Sequence, residues 1–100
     1  MKEFEDLVEK AIDSIPEEFQ PYLENIVFIV EESSPDGLMG LYYGAGALHA
    51  GEGMPDRITL YKRPHERASK DVKELMEEVR RTILHEVGHH FGMDEDDLPY

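Results

Sequence analysis

Residues 79–92 read VRRTILHEVGHHFG and contain the pattern H-E-x-x-H, which runs from His85 to His89. Apolar residues recur at three- and four-residue steps from about Ser69 to Phe91, so the pattern lies inside a predicted helix. Residues four apart on a helix lie one turn above each other, which places His85 and His89 on one face. Two imidazoles so placed can both bind one Zn²⁺ ion at about 2.0–2.1 Å. The spacing therefore predicts a zinc site.

Glu86, the second residue of the pattern, has a different predicted role. It projects about 100° from His85 around the helix axis, which is too far for easy binding of the same ion. It remains close enough to reach a water that the metal activates, since zinc lowers the pKa of its water to about 7. We therefore expect Glu86 to be the catalytic base, with His85 and His89 as metal ligands.

A third protein ligand is expected just beyond the helix. Gly92 is well placed to end the helix in a left-handed cap, and an acidic run follows it. Glu95 stands at the tenth position after His85, the spacing of the third ligand in the metzincin pattern H-E-x-x-H-x-x-G-x-x-H. We therefore predict Glu95 as the third metal ligand. Because a turn of different length would bring another carboxylate to the metal, three alternatives stay open: Asp94, Asp96 and Asp97.

The composition limits the class of protein. The chain has 100 residues, which predicts a single domain over residues 1–100, and its lack of cysteine excludes disulfides and thiol-based sites. The formal net charge of −13 argues against binding to nucleic acid or to anionic membranes, both of which attract basic proteins. No apolar run is long enough to span a bilayer, and the first residues do not resemble a signal peptide. These features predict a cytoplasmic protein.

Hydrophobic patterns along the rest of the chain predict an α+β domain. An amphipathic stripe from Phe4 to Ile15 predicts a first helix, and Pro16 begins a short second helix to about Leu23. Three strands are predicted, at residues 26–30, 38–43 and 57–62, and Pro64 closes the last of them. The first strand is unbroken in its apolar character and is expected to be central and buried on both faces. The glycine-rich residues 44–55 are expected to form a loop, and a short irregular strand near Leu48 within it stays open.

The long final helix should cover this sheet. Its inward stripe is predicted to consist of Val72, Leu75, Met76, Val79, Ile83 and Val87. The order of elements then gives a small mixed sheet packed on the N-terminal helices and on the helix that carries the H-E-x-x-H pattern.

Four further stretches, together with residues 79–92, carry a family resemblance: residues 16–19 (PEEF), 26–32 (IVFIVEE), 40–42 (GLY) and 55–61 (PDRITLY). In these stretches the chain resembles the minimal zincin-like proteins of bacteria, a family of predicted zinc-dependent metallopeptidases. The resemblance extends from about Phe4 to Leu98. It implies a zincin-like fold that lacks the C-terminal subdomain of larger zincins.

The resemblance also implies a function. Zinc would be held by His85, His89 and Glu95, and a peptide or protein would be the substrate of a hydrolysis that uses Glu86 as general base. Zincins bind extended peptides by strand addition, and the candidate sheet edges are residues 38–43 and residues 47–50. The alternative function is a non-catalytic binding module that zinc stabilises on the same scaffold.

The other histidines and the tyrosines have plainer expected roles. His90 lies off the face shared by the two ligands, so we expect a partly buried or surface side chain. His49 and His65 fall in predicted loops and are expected to be exposed to solvent. Packing in the sheet, rather than acid catalysis, is expected for Tyr42, Tyr43 and Tyr61.

Overall fold

The helices and strands follow the predicted order, with one additional helix. The computed structural model describes residues 1–34, 36–44 and 55–91. Within these ranges lie α1 (Lys2–Asp13), a 3₁₀ helix (Glu17–Leu23), β1 (Ile26–Glu31), β2 (Gly40–Tyr43), β3 (Asp56–Tyr61), α2 (Lys62–Arg67) and α3 (Val72–His90). The predicted loop lies largely outside the described residues, as does the predicted cap at Gly92. None of the described helices is long and apolar enough to cross a membrane.

The three strands form a mixed sheet in the order β1-β3-β2. β1 runs parallel to β3, with Phe28 opposite Ile58, and β2 runs antiparallel to β3, with Tyr42 opposite the same residue. The predicted α+β fold with a small mixed sheet is therefore confirmed.

The prediction that the apolar run in β1 forms the central strand is wrong. Among the described strands, β1 stands at one end of the sheet, and its Val27 is 44% exposed. The middle strand of these three is β3. Its residues Ile58 and Leu60 are fully buried, whereas Arg57, which precedes Ile58, is exposed. An apolar run shows that a strand tolerates burial, but its place in the sheet depends on which distant segments pair with it.

One hydrophobic core joins α1, the sheet and α3. Phe4, Val8 and Ala11 follow each other at helical spacing and form the buried face of α1. They belong to the same cluster as Ile58 and Ile83, which are completely buried in β3 and α3. This cluster is the core that the N-terminal stripe and the final helix were expected to share.

Pro64 does not close β3, contrary to the prediction from the sequence. The strand ends at Tyr61, α2 begins at Lys62, and Pro64 is therefore the third residue of this helix. A proline is tolerated there because the first N–H groups of a helix have no partner within it. The consequence for the fold is that α2 carries His65 into the core, where its side chain is fully buried.

α3 begins at a defined cap. The Asp71 carboxylate accepts a hydrogen bond from the backbone N–H of Glu74 at 2.9 Å, which satisfies one of the unpaired donors of the first turn. The predicted inward stripe is confirmed at Val79 and Ile83, which are fully buried, but it is wrong at Val72, which is 72% exposed. Helical spacing identifies the inward face of a helix but not the point along it at which its packing partners begin.

Candidate metal centre

His85 and His89 lie side by side on α3, as their spacing predicts. Their rings meet edge to face, with centroids 5.0 Å apart and an interplanar angle of 80°. Both side chains are half-buried, whereas Glu86 is buried, with 8% of its surface exposed. One ligand atom from each of the three residues lies within 4.8 Å of the other two. The helix therefore gathers two imidazole nitrogens and one carboxylate oxygen at one place.

These donor atoms fit a divalent metal ion. Two donors on a tetrahedral zinc ion, each at about 2.0–2.1 Å, lie about 3.3 Å apart, a spacing that small rotations of half-buried side chains can reach. Imidazole and carboxylate groups bind zinc and also several other divalent ions. The third ligand stays a prediction, because Glu95 and its alternatives Asp94, Asp96 and Asp97 all lie outside the described residues.

The three side chains face a groove of about 550 Å³ between α3 and β2. One wall consists of residues 38–42, of which the last three belong to β2. The other wall is a face of α3 made of Glu78, Arg81, Thr82, His85, Glu86 and His89. Among the strands of the described residues, β2 stands at one end of the order, and it lies beside the metal-binding group. This strand is one of the two predicted candidate edges, and the other, residues 47–50, lies outside the described residues.

Gly40 allows β2 to approach α3 closely at this groove. A Cβ atom on Gly40 would lie 2.6 Å from Thr82 Cγ2 and 3.3 Å from Glu86 Cγ. Thr82 is itself buried, and its hydroxyl lies within hydrogen-bonding distance of two partners, so its methyl group cannot turn away without cost. The local sequence pattern did not predict this role of Gly40, although a glycine inside a strand often marks a close approach of this kind.

We expect Gly40→Ala to lower the free energy of unfolding by about 1–3 kcal/mol, the usual cost of overpacking a filled site. Urea denaturation at neutral pH measures this change. The variant Thr82→Ser removes the clashing methyl group and keeps the hydroxyl, so the alanine should be tolerated better in that background. An equal loss in both backgrounds would show that the contact with Thr82 is not the cause.

The prediction that His65 is an exposed loop residue is wrong. Its side chain is fully buried on α2. Nδ1 donates to the backbone carbonyl of Tyr61 at 2.7 Å, because a carbonyl can only accept. Nε2 lies 2.8 Å from the Thr82 hydroxyl. When the ring is neutral, Nε2 is an acceptor, and it competes for the single hydroxyl hydrogen with the Glu78 carbonyl, which lies 3.0 Å from the same oxygen. His65 thus links α2 to the part of α3 that lines the groove.

Burial lowers the pKa of His65 below its usual value of 6.5, against smaller opposing effects of the Tyr61 carbonyl and the Glu78 carboxylate. The neutral ring is therefore the form that folding favours. Below pH 6.5 the unfolded chain takes up a proton at this position while the folded chain does not. The stability that the neutral ring contributes is present above pH 6.5 and is lost as the pH falls toward the lowered pKa.

We therefore expect the free energy of unfolding to fall between pH 6.5 and pH 5.5, with His65 contributing at most about 1.4 kcal/mol per pH unit. In His65→Gln, which cannot titrate, the slope over this interval should be smaller even if the variant is less stable at every pH. Urea denaturation of both proteins at pH 7.5, 6.5 and 5.5 compares the slopes. If the free energy of unfolding fell equally with pH in both proteins, His65 would not be the group responsible.

His90 and Tyr42 meet at a buried carboxylate that sequence reasoning did not identify. His90 was expected to be partly buried or on the surface, but it is only 3% exposed, and its Nδ1 lies 2.6 Å from Asp56 Oδ2. It is not a member of the metal-binding group and does not line the groove, which agrees with the prediction that it is not a ligand. Tyr42 and Tyr43 lie in β2 and Tyr61 in β3, which agrees with their expected place in the sheet. His49 lies outside the described residues.

Comparisons with known proteins agree with this fold. A family model described as "Zincin-like metallopeptidase" matches residues 16–100. Among solved structures, the chain is similar to a conserved hypothetical protein from T. thermophilus, at 28% identity and a TM-score of 0.59, over 89% of this chain and 91% of that one. No curated protein matches the sequence. The family match covers most of the chain and includes the helix with the His-Glu-His group, and the chain therefore belongs to the zincin-like metallopeptidase family.

Proposed function

We propose that the chain is a zinc-dependent metallopeptidase that hydrolyses peptide bonds in the groove between α3 and β2. The observation that carries this proposal is the group formed by His85, Glu86 and His89, whose ligand atoms lie within 4.8 Å of one another on the wall of that groove. The family match supports it, since the family is a metallopeptidase-type scaffold. The ligands would be His85 and His89, with Glu95 as the predicted third.

A bound zinc ion would supply a Lewis acid that polarises the scissile carbonyl and lowers the pKa of water to about 7. Glu86 then has the proton-transfer role. Its carboxylate accepts a proton from the attacking water and passes it on to the leaving amine. The burial of Glu86 supports this role, because a carboxylate shielded from bulk solvent interacts more strongly with the reacting groups.

The β2 wall of the groove offers a place for the substrate. The N–H of Tyr61 donates to the carbonyl of Met39 at 3.0 Å, so these two residues form a hydrogen-bonded pair. Opposite pairs alternate in an antiparallel ladder, and Gly40 and Tyr42 are therefore non-hydrogen-bonded positions whose backbone groups point away from β3. In the proposed mode of binding, an extended peptide lies along β2 and passes beside His85 and His89.

The test is digestion of a broad peptide library by the zinc-loaded protein. Cleavage should disappear when a chelator removes the metal and should return when Zn²⁺ is added back. The melting temperature is measured in the same samples, because metal binding to the folded state raises it. A zinc-dependent rise in melting temperature without cleavage of any peptide would contradict the proposal and would favour the non-catalytic binding module.

A further inference from the structure

One buried carboxylate oxygen joins three elements next to the groove. Asp56 is the first residue of β3 and is 6% exposed. Its Oδ2 accepts a hydrogen bond from the Tyr42 hydroxyl on β2 at 2.5 Å and lies 2.6 Å from Nδ1 of His90, the last residue of α3. These three residues are called the junction below.

The chain leaves space for the junction at a glycine. A Cβ atom on Gly44, directly after β2, would overlap both Cγ and Oδ1 of Asp56. Any other residue at position 44 would displace this carboxylate. Asp56 is thus held in place from two sides, by its hydrogen-bonded partners and by the backbone at Gly44.

The position of His90 in α3 gives the junction a consequence for the metal site. The last carbonyls of a helix have no partner within it, so the last turn opens more easily than the middle of the helix. His89 belongs to that turn and faces the groove. His90 is almost fully buried and pairs with Asp56 across 34 positions of sequence.

We propose that Asp56, His90 and Tyr42 are positioning residues that hold the last turn of α3, and with it His89, at a set distance from β2. The inference rests on the proposed function, because it concerns the same metal site. His90 fixes the backbone of its neighbour His89. The Tyr42 hydroxyl holds β2, which is one wall of the groove, to the same Asp56 oxygen. The junction therefore fixes both the distance between the two metal ligands and the width of the groove.

Zinc affinity tests this proposal without any measurement of hydrolysis. The affinity of the full chain for Zn²⁺ is measured by competition with a chromogenic chelator, for the natural protein and for Asp56→Asn and Tyr42→Phe. Partners that orient metal ligands indirectly usually change metal affinity by about 10–100-fold, and we expect about tenfold for Asp56→Asn. Tyr42→Phe removes one hydroxyl and leaves the Asp56–His90 pair, so its loss should be smaller.

Two further measurements separate positioning from general loss of stability. Val8→Ala removes buried methyl groups from α1, away from the groove, and serves as a destabilised control that should bind Zn²⁺ normally. The absorption spectrum of bound Co²⁺, which reports coordination geometry, should change in the junction variants and not in the control. If Asp56→Asn fails to fold, Tyr42→Phe carries the test alone, because it keeps the shape of the side chain.

Natural zinc affinity and an unchanged Co²⁺ spectrum in folded junction variants would overturn the inference. An equal loss of affinity in Val8→Ala would also overturn it, because the effect would then follow stability alone. Weaker zinc binding confined to the junction variants would support it, whether or not the protein cleaves peptides. Failure of the natural protein to cleave any peptide would contradict only the proposed function.

Discussion

Replacing Glu86 with glutamine is expected to lower kcat for peptide hydrolysis by about 10²–10⁴-fold, the usual contribution of a general base. Glutamine has nearly the same shape, but its amide cannot take a proton from water. Zinc binding should persist in this variant, because His85 and His89 are unchanged. The measurement is the initial rate of peptide cleavage under saturating substrate, with zinc content determined on the same preparation.

Glu77→Gln is the matched control for this experiment. It makes the same chemical change on the same helix, but Glu77 is exposed and does not line the groove. Its cleavage rate should equal that of the natural protein. If Glu86→Gln kept full activity with zinc bound, Glu86 could not be the base, and the proposed mechanism would be wrong.

Replacing His89 with alanine should remove the stabilisation that metal binding gives. A ligand present at one hundred times its Kd stabilises the folded state by about 2.7 kcal/mol. For a domain of this size that corresponds to a rise in melting temperature of roughly 10–20 °C. We expect Zn²⁺ to raise the melting temperature of the natural protein by this order and to have almost no effect on His89→Ala, because one imidazole is then missing.

Thermal unfolding with and without Zn²⁺ measures the effect, and metal analysis of the purified variants checks it independently. Arg80→Ala is the control, since Arg80 is exposed on the same helix and does not line the groove. It should respond to zinc as the natural protein does. A full zinc response in His89→Ala would exclude this residue as a ligand and would remove the basis for the whole site.

The central part of the site was predictable because its information is local. His85, Glu86 and His89 lie within five consecutive residues, and the 3.6-residue repeat of a helix is enough to place the two imidazoles together. The helical stripe that includes Val79 and Ile83 likewise indicates the inward face of α3 from spacing alone. The same kind of local pattern marked β2 as a strand and a candidate sheet edge.

Local patterns in the amino-acid sequence thus specified the metal-binding pair, the type of nearly every helix and strand, and the α+β class. Three features emerged only from the packing of the folded chain: β3 is the central strand, His65 is buried, and Asp56 meets His90 across 34 positions of the chain. Repeats and motifs depend on neighbours within a few residues, whereas these features depend on which distant segments pack together. The role of Gly40 also depends on tertiary packing, because a residue without a side chain is required only where β2 passes against Thr82 and Glu86.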